Sequence, residues 1–121
     1  MDDETLLKTM LFDFFGDLLT EKQQEYFDLY HNEDLSLSEI AERAGISRQG
    51  VYDIITRAEK TLMEIELKTG LIQKWQETRT QLGEIETIAR ELRKSIENNR
   101  QAAELADKLN LIVESMINDQ V

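Results

Sequence analysis

The chain has 121 residues, with 14 Lys or Arg against 25 Asp or Glu and a formal net charge of −11. It contains no proline, no cysteine and only five glycines, which excludes disulfides and thiolate metal sites and leaves few breakers of long helices. No apolar run is long enough to span a bilayer, and the opening Met1-Asp2-Asp3-Glu4 is the opposite of a basic signal-peptide region, so the expected location is the cytoplasm.

This length allows one sizeable core and one helical appendage. The charge is spread unevenly but never turns positive: residues 1–19 carry one Lys against five acids, residues 20–62 five basic residues against nine acids, and residues 63–121 eight against eleven. Affinity for nucleic acid rests largely on phosphate neutralisation, so any such role must come from a few local cations.

The first helix is expected over about Glu4 to Leu19, with Leu7, Leu11, Phe14 and Leu18 at helical spacing and Leu6, Met10, Phe15 and Leu19 widening the stripe. Gly16 weakens this helix without ending it. Thr20 and Gln23 have capping-box spacing and open a second helix to about Asn32, which partly buries Tyr26, Phe27, Leu29 and Tyr30. The single histidine, His31, reads as an exposed residue in the last turn of that helix rather than a base or ligand. After the polar break Asn32-Glu33-Asp34, Ser36 and Glu39 form a second capping box for a third helix through Ala44. Gly45 stops it in a left-handed conformation, and Ser47 caps a fourth helix beginning at Arg48.

Beyond Ala58 the pattern changes. Leu62, Ile65, Leu67, Leu71, Ile72 and Trp75 form the last cluster tied to the globular part, giving a division into a core of residues 1–62 and a helical extension of residues 63–121. From Leu82 a seven-residue spacing runs through Ile85, Ala89, Leu92, Ile96, Asn99, Ala103, Ala106, Asn110, Val113 and Ile117. Its steps of three and four are those of a coiled-coil seam, which either makes the chain a homodimer or packs the tail on the first four helices. Alternatively, Asn98-Asn99 forms a turn between two antiparallel helices, about 71–97 and 100–118.

The segment Leu37 to Val51 meets the demands of a helix-turn-helix together. Ala41 is small where the helices touch, Gly45 tolerates the turn, and Ile40, Ile46, Val51 and Ile54 lock one helix onto the other. The fold class is therefore all-α, with a helix-turn-helix core and long C-terminal helices. The second helix of the motif would direct Arg48, Gln49, Tyr52, Asp53, Thr56 and Arg57 outward. Arg and Gln read guanine and adenine edges in a major groove, and Ser47 at the helix start suits a phosphate. The competing reading is a solvated face, to which Asp53 and Glu59 contribute negative charge. Nothing has the pattern of a phosphate loop, dinucleotide fingerprint, nucleophile motif or calcium loop, so no catalytic residue, cofactor or metal is expected.

The stretch Leu37 to Leu62, with Glu39-Ile40-Ala41, Ile46-Ser47, Val51 and Arg57-Ala58, resembles region four of bacterial sigma factors, which reads promoter DNA. A longer resemblance rests on Phe12-Asp13-Phe14-Phe15, Leu18 to Gln23, Glu33 to Glu42, and Ser47 to Asp53. Over about residues 6–75 these runs resemble the YlxM family of small helix-turn-helix proteins, encoded beside the signal recognition particle GTPase in Gram-positive bacteria. Gly50 stands where an alanine is more usual in that family, a departure that would loosen the recognition helix by about 1 kcal/mol.

The resemblance implies a nucleic-acid-binding or regulatory helix-turn-helix protein linked to protein targeting, with promoter DNA or the particle's RNA as ligand. The alternative is an acidic adaptor that meets a basic protein such as the particle's GTPase, with the helix-turn-helix serving only as scaffold.

Overall fold

The computed structural model describes residues 3–96 and 98–119. Six α-helices follow one another: α1 (Asp3–Phe15), α2 (Glu21–His31), α3 (Leu37–Ala44), α4 (Arg48–Thr69), α5 (Leu71–Ser95) and α6 (Arg100–Asp119). No strand occurs among the described residues, in keeping with the all-α expectation. The acidic start at Met1 and Asp2, and residue 97 at the expected end of the first tail helix, lie outside the described residues. The chain divides into two compact units, Met1–Ile72 and Gln73–Val121.

Local chemistry explains most of the boundaries. At α2, Gln23 N–H donates to the Thr20 hydroxyl at 3.2 Å, while Thr20 N–H donates to the Gln23 side chain at 3.1 Å. Ser36 and Glu39 repeat this box at α3, both bonds at 3.1 Å. Each box satisfies two backbone donors that the helix start would otherwise leave open. The Ser36 bonds also hold the Glu39 carboxyl below its usual range, the backbone N–H first.

One boundary departs from the sequence expectation. α1 ends at Phe15 rather than Leu19, because the chain tightens into a 3-10 turn over Gly16–Leu18, closed by Leu19 N–H to Gly16 carbonyl at 3.0 Å. A Cβ on Gly16 would sit 3.2 Å from the Phe12 ring, a close approach that the ring would have to yield to by a few tenths of an ångström. The tighter winding rotates Leu19 inward and leaves Leu18 68% exposed. The buried line is thus Leu11, Phe15 and Leu19, whereas Phe14 and Leu18, expected inside, face outward. Further on, α4 runs unbroken past residue 62 and stops at Gly70, which takes φ +61. Leu67 and Leu71, on either side of that stop, are exposed instead of joining the cluster around Leu62.

The first unit has two adjoining cores. Leu11, Phe15, Leu19, Phe27, Ala58, Leu62 and Ile72 form one, drawing on α1, α2, α4 and the start of α5. Phe27 is 1% exposed and stacks on Phe12 with ring centroids 4.9 Å apart, a burial that contributes roughly 2–3 kcal/mol. Tyr26, Ile40, Ala41, Val51 and Ile55 form the second, inside the helix-turn-helix.

His31 corrects the sequence reading. Its side chain is only 14% exposed, lies with its ring 4.3 Å from that of Phe27, and places Nε2 2.7 Å from Glu59 Oε1. An ionised carboxylate can only accept, so Nε2 carries the donated hydrogen. The α2–α4 packing covers a residue that would be solvated on an isolated helix end. Lys8 adds ion pairs to Glu59 at 3.6 Å and to Glu4 at 3.4 Å, tying α1 to the same spot.

In the second unit, α5 and α6 run antiparallel, with Ile96 and Asn98 in turn conformation between them and Asn99 N–H donating to the Ile96 carbonyl at 2.9 Å, the second of the two arrangements open from the sequence. Asn99 accepts from Ala102 N–H at 3.1 Å and so caps α6, and Arg93 pairs with Asp107 across the hairpin at 3.1 Å. Leu82, Ala89, Ala103, Ala106 and Val113 from the heptad pattern are buried, whereas Ile85, Leu92 and Asn99 are exposed. The Asn110 side-chain oxygen is buried without a hydrogen-bond partner, a destabilising feature of the kind that fixes helix register elsewhere.

The Glu59 carboxyl is held below its ordinary range of about 4.5, first by the His31 hydrogen bond and then by Lys8, against a burial effect that raises it. A carboxylate depressed in the folded state adds stability above its unfolded pKa and loses it as pH falls through the folded value. Urea unfolding between pH 7 and pH 3 is therefore expected to show a loss of stability below about pH 5 that is smaller in Glu59→Gln. Equal slopes in the two proteins would contradict this role for Glu59.

Candidate nucleic-acid interface

The turn between α3 and α4 sets the geometry of the candidate site. Gly45 takes φ +70 and ψ +29, and both its N–H and that of Ile46 donate to the Ala41 carbonyl, at 2.9 and 3.2 Å. A side chain at position 45 would meet no atom within 4 Å. The requirement for glycine is thus one of backbone conformation, not of space. Ile40 and Val51 are fully buried across the turn, Ile55 lies one turn further along α4, and Ile54 is half-buried. Ile46, expected to help lock the two helices, is instead 39% exposed, because the left-handed turn carries it to the rim of the contact.

Val51, Ile55, Ala58 and Leu62 occupy one stripe of α4, all buried. This leaves the opposite side of the helix turned away from the core. Ser47, Arg48, Gln49, Tyr52, Asp53, Thr56 and Arg57 are all exposed, as expected from the spacing, with Tyr52 49% exposed. Lys60, which the sequence reading did not include, is exposed as well. Gln49, Asp53, Thr56 and Lys60 follow steps of four, three and four, which stacks them along one face. That spacing was the available signal for Lys60.

The polar groups of this face are partly engaged. Ser47 Oγ accepts from Gly50 N–H at 3.0 Å, acting as the helix cap, and its own hydrogen is left to donate outward. Gln49 donates Nε2–H to Asp53 Oδ1 at 2.9 Å. This bond holds the amide in place while its carbonyl oxygen and second N–H still suit the paired donor and acceptor of an adenine edge. It also satisfies one oxygen of Asp53, so that carboxylate acts to orient Gln49 as well as to repel phosphate. Among the described residues neither Arg48 nor Arg57 has a carboxylate oxygen within 4.0 Å. Arg48, Arg57 and Lys60 thus make a local cationic set on an otherwise acidic unit.

Over residues 2–110 the chain matches the sequence family described as "UPF0122: Putative helix-turn-helix protein, YlxM / p13 like". A UPF0122 protein of Thermoanaerobacter sp. (strain X514) is 51% identical over 85 residues, covering 70% of this chain and 73% of the relative. Another, from Caldanaerobacter subterraneus subsp. tengcongensis, is 53% identical over 77 residues, or 64% and 66% of the two chains. A third, from Bacillus cereus (strain AH187), is 42% identical over 109 residues, spanning 90% of this chain and 99% of the relative.

The two glycines of the motif should respond oppositely to alanine. Gly45→Ala forces a side chain into a left-handed conformation and should lower stability by about 1–2 kcal/mol. At Gly50, a Cβ would lie 3.2 Å from Ser47 Oγ, a hydroxyl that can give way by a small rotation while keeping its bond. Gly50→Ala should then stabilise α4 by up to about 1 kcal/mol through helix propensity. Thermal unfolding of both variants checks the pair, and an unchanged Tm for Gly45→Ala would contradict the described turn.

Proposed function

The chain belongs to the UPF0122 family of YlxM/p13-like helix-turn-helix proteins, and from that premise we propose that it binds nucleic acid through the outward face of α4. The reading assigns Arg48, Arg57 and Lys60 to phosphates or guanine edges, Gln49 to base edges, Tyr52 to stacking, and Ser47 with the α4 N-terminus to a phosphate. Asp53 positions Gln49, and Thr56 supplies a further hydroxyl between them. The observation that carries it is that Arg48 and Arg57 are both exposed and outside any described ion pair, on the helix whose start the Gly45 turn sets.

The ligand we assign is the RNA of the signal recognition particle, with promoter-type duplex DNA as the alternative, and the role is regulatory within the targeting pathway. The support is the resemblance of Phe12 to Phe15, Leu18 to Gln23, Glu33 to Glu42 and Ser47 to Asp53 to the YlxM family. The reading is non-enzymatic and places the protein in the cytoplasm. No helix among the described residues is long and apolar enough to cross a membrane.

A second reading draws on charge. Residues 1–72 carry seven Lys or Arg against sixteen Asp or Glu, a balance that suits an adaptor steered to a basic protein such as the particle's GTPase subunit.

Binding to the particle's RNA and to random-sequence duplex DNA, each at low and physiological salt, separates these readings. With only two or three cations engaged, log affinity for the duplex should fall with log salt at a slope of about −2 to −3. The Arg48→Ala, Arg57→Ala double variant should bind at least roughly tenfold more weakly. If neither ligand binds even at low salt, the nucleic-acid reading fails and the adaptor reading stands.

A further inference from the structure

The α5–α6 hairpin carries apolar side chains beyond those it buries within itself. On α5, Ile85, Ile88 and Leu92 are exposed, Ile88 to 61%. On α6, Leu105, Leu109, Ile112 and Met116 are exposed, with Leu105 at 60%, while Leu111, also exposed, falls outside this stripe. Both sets step by three and four, the spacing of a packing seam rather than of scattered surface leucines. At about 100° per residue, each stripe is offset in the same rotational sense from its own helix's buried line, Leu82 and Ala89 on α5 and Ala103, Ala106 and Val113 on α6. In an antiparallel pair, equal offsets bring the two stripes to one side of the hairpin. The result is one broad apolar face.

We propose that this face is covered by a second copy of the chain, the two hairpins stacking into a four-helix bundle. Three observations select this occupant. The exposed parts of these seven side chains amount to roughly 600 Å² per chain, so that pairing two copies buries about 1,200 Å², the lower bound for a stable interface. Residues 73–121 carry seven Lys or Arg against nine Asp or Glu, whereas residues 1–72 carry seven against sixteen, so self-association meets the least like-charge repulsion through the hairpin.

The third observation is register. The Arg93–Asp107 pair fixes the stagger of the hairpin. Laying α5 on α6 of a second copy then brings Leu92, Ile88 and Ile85 level with Leu109, Ile112 and Met116 of that copy. The same stacking puts Glu91, at the outer edge of the α5 stripe, near Lys108 at the outer edge of the other. A dimer built this way presents two α4 faces whichever ligand they take.

Sedimentation velocity of the full chain between about 1 and 100 μM tests the proposal, alongside an Ile88→Lys, Ile112→Lys variant checked for helicity by circular dichroism. The wild type is expected to be dimeric, and the variant to be a helical monomer with a dimer Kd at least ~100-fold weaker. Should that variant lose helicity, Leu105→Gln, Leu109→Gln replaces it. A wild type that remains monomeric at 100 μM overturns the proposal and leaves the face to a different protein. A dimer that persists in the helical variant overturns it too, by placing the interface elsewhere.

Discussion

The first unit depends on one shared strut. A single stripe of α4 serves two cores: Val51 and Ile55 pack into the helix-turn-helix, and Ala58 and Leu62 into the cluster with α1 and α2. Because one rigid helix joins them, the orientation of the recognition half is set by packing two turns further along, around Phe27 and Leu62. The His31–Glu59 bond and the Lys8 ion pairs sit at that junction. They tie α1 and α2 to the same helix whose opposite side is left open. A helix committed to two cores along one stripe has its remaining face available without any loss of burial.

Charge shapes what that face can do. On a unit this acidic, long-range attraction cannot draw in a polyanion, and non-specific binding to duplex DNA should be weak. Contacts on that face would instead be few and short-ranged: two arginines outside any described ion pair, a glutamine held by its neighbouring aspartate, and a lysine in line with that glutamine. Such a surface favours a ligand whose shape presents phosphates and base edges together, as folded RNA does.

How much of this was legible in the sequence depended on the range of the interaction. The caps at Thr20, Ser36 and Ser47 and the left-handed stop at Gly45 act within four residues, and the residues at those positions announce them. The exposure of Ser47, Arg48, Gln49, Tyr52, Asp53, Thr56 and Arg57 followed from the same local periodicity. What was not legible was decided by distant partners. That Phe15 rather than Phe14 faces inward is settled by its packing with Phe27, Ala58, Leu62 and Ile72. His31 looked exposed because nothing near it in sequence reveals that Glu59 lies alongside.

The stop at Gly70 is a different case: it has the same φ > 0 role as Gly45, but no capping residue followed it to draw notice. The tail pattern fitted both a long coiled coil and a hairpin, since small alanines at steps of three and four satisfy either. The break between Ser95 and Arg100, with Asn99 as cap, separates them.

The central claim is that the outward face of α4 is the working surface. Backbone amide chemical shifts of the full chain, followed while the signal recognition particle RNA is added, test it most directly. The account predicts the largest changes at the amides from Ser47 to Lys60, with α1, α2 and α6 little affected. Changes centred on α1, α2 or the hairpin, with the amides of Arg48 to Arg57 unmoved, would contradict it.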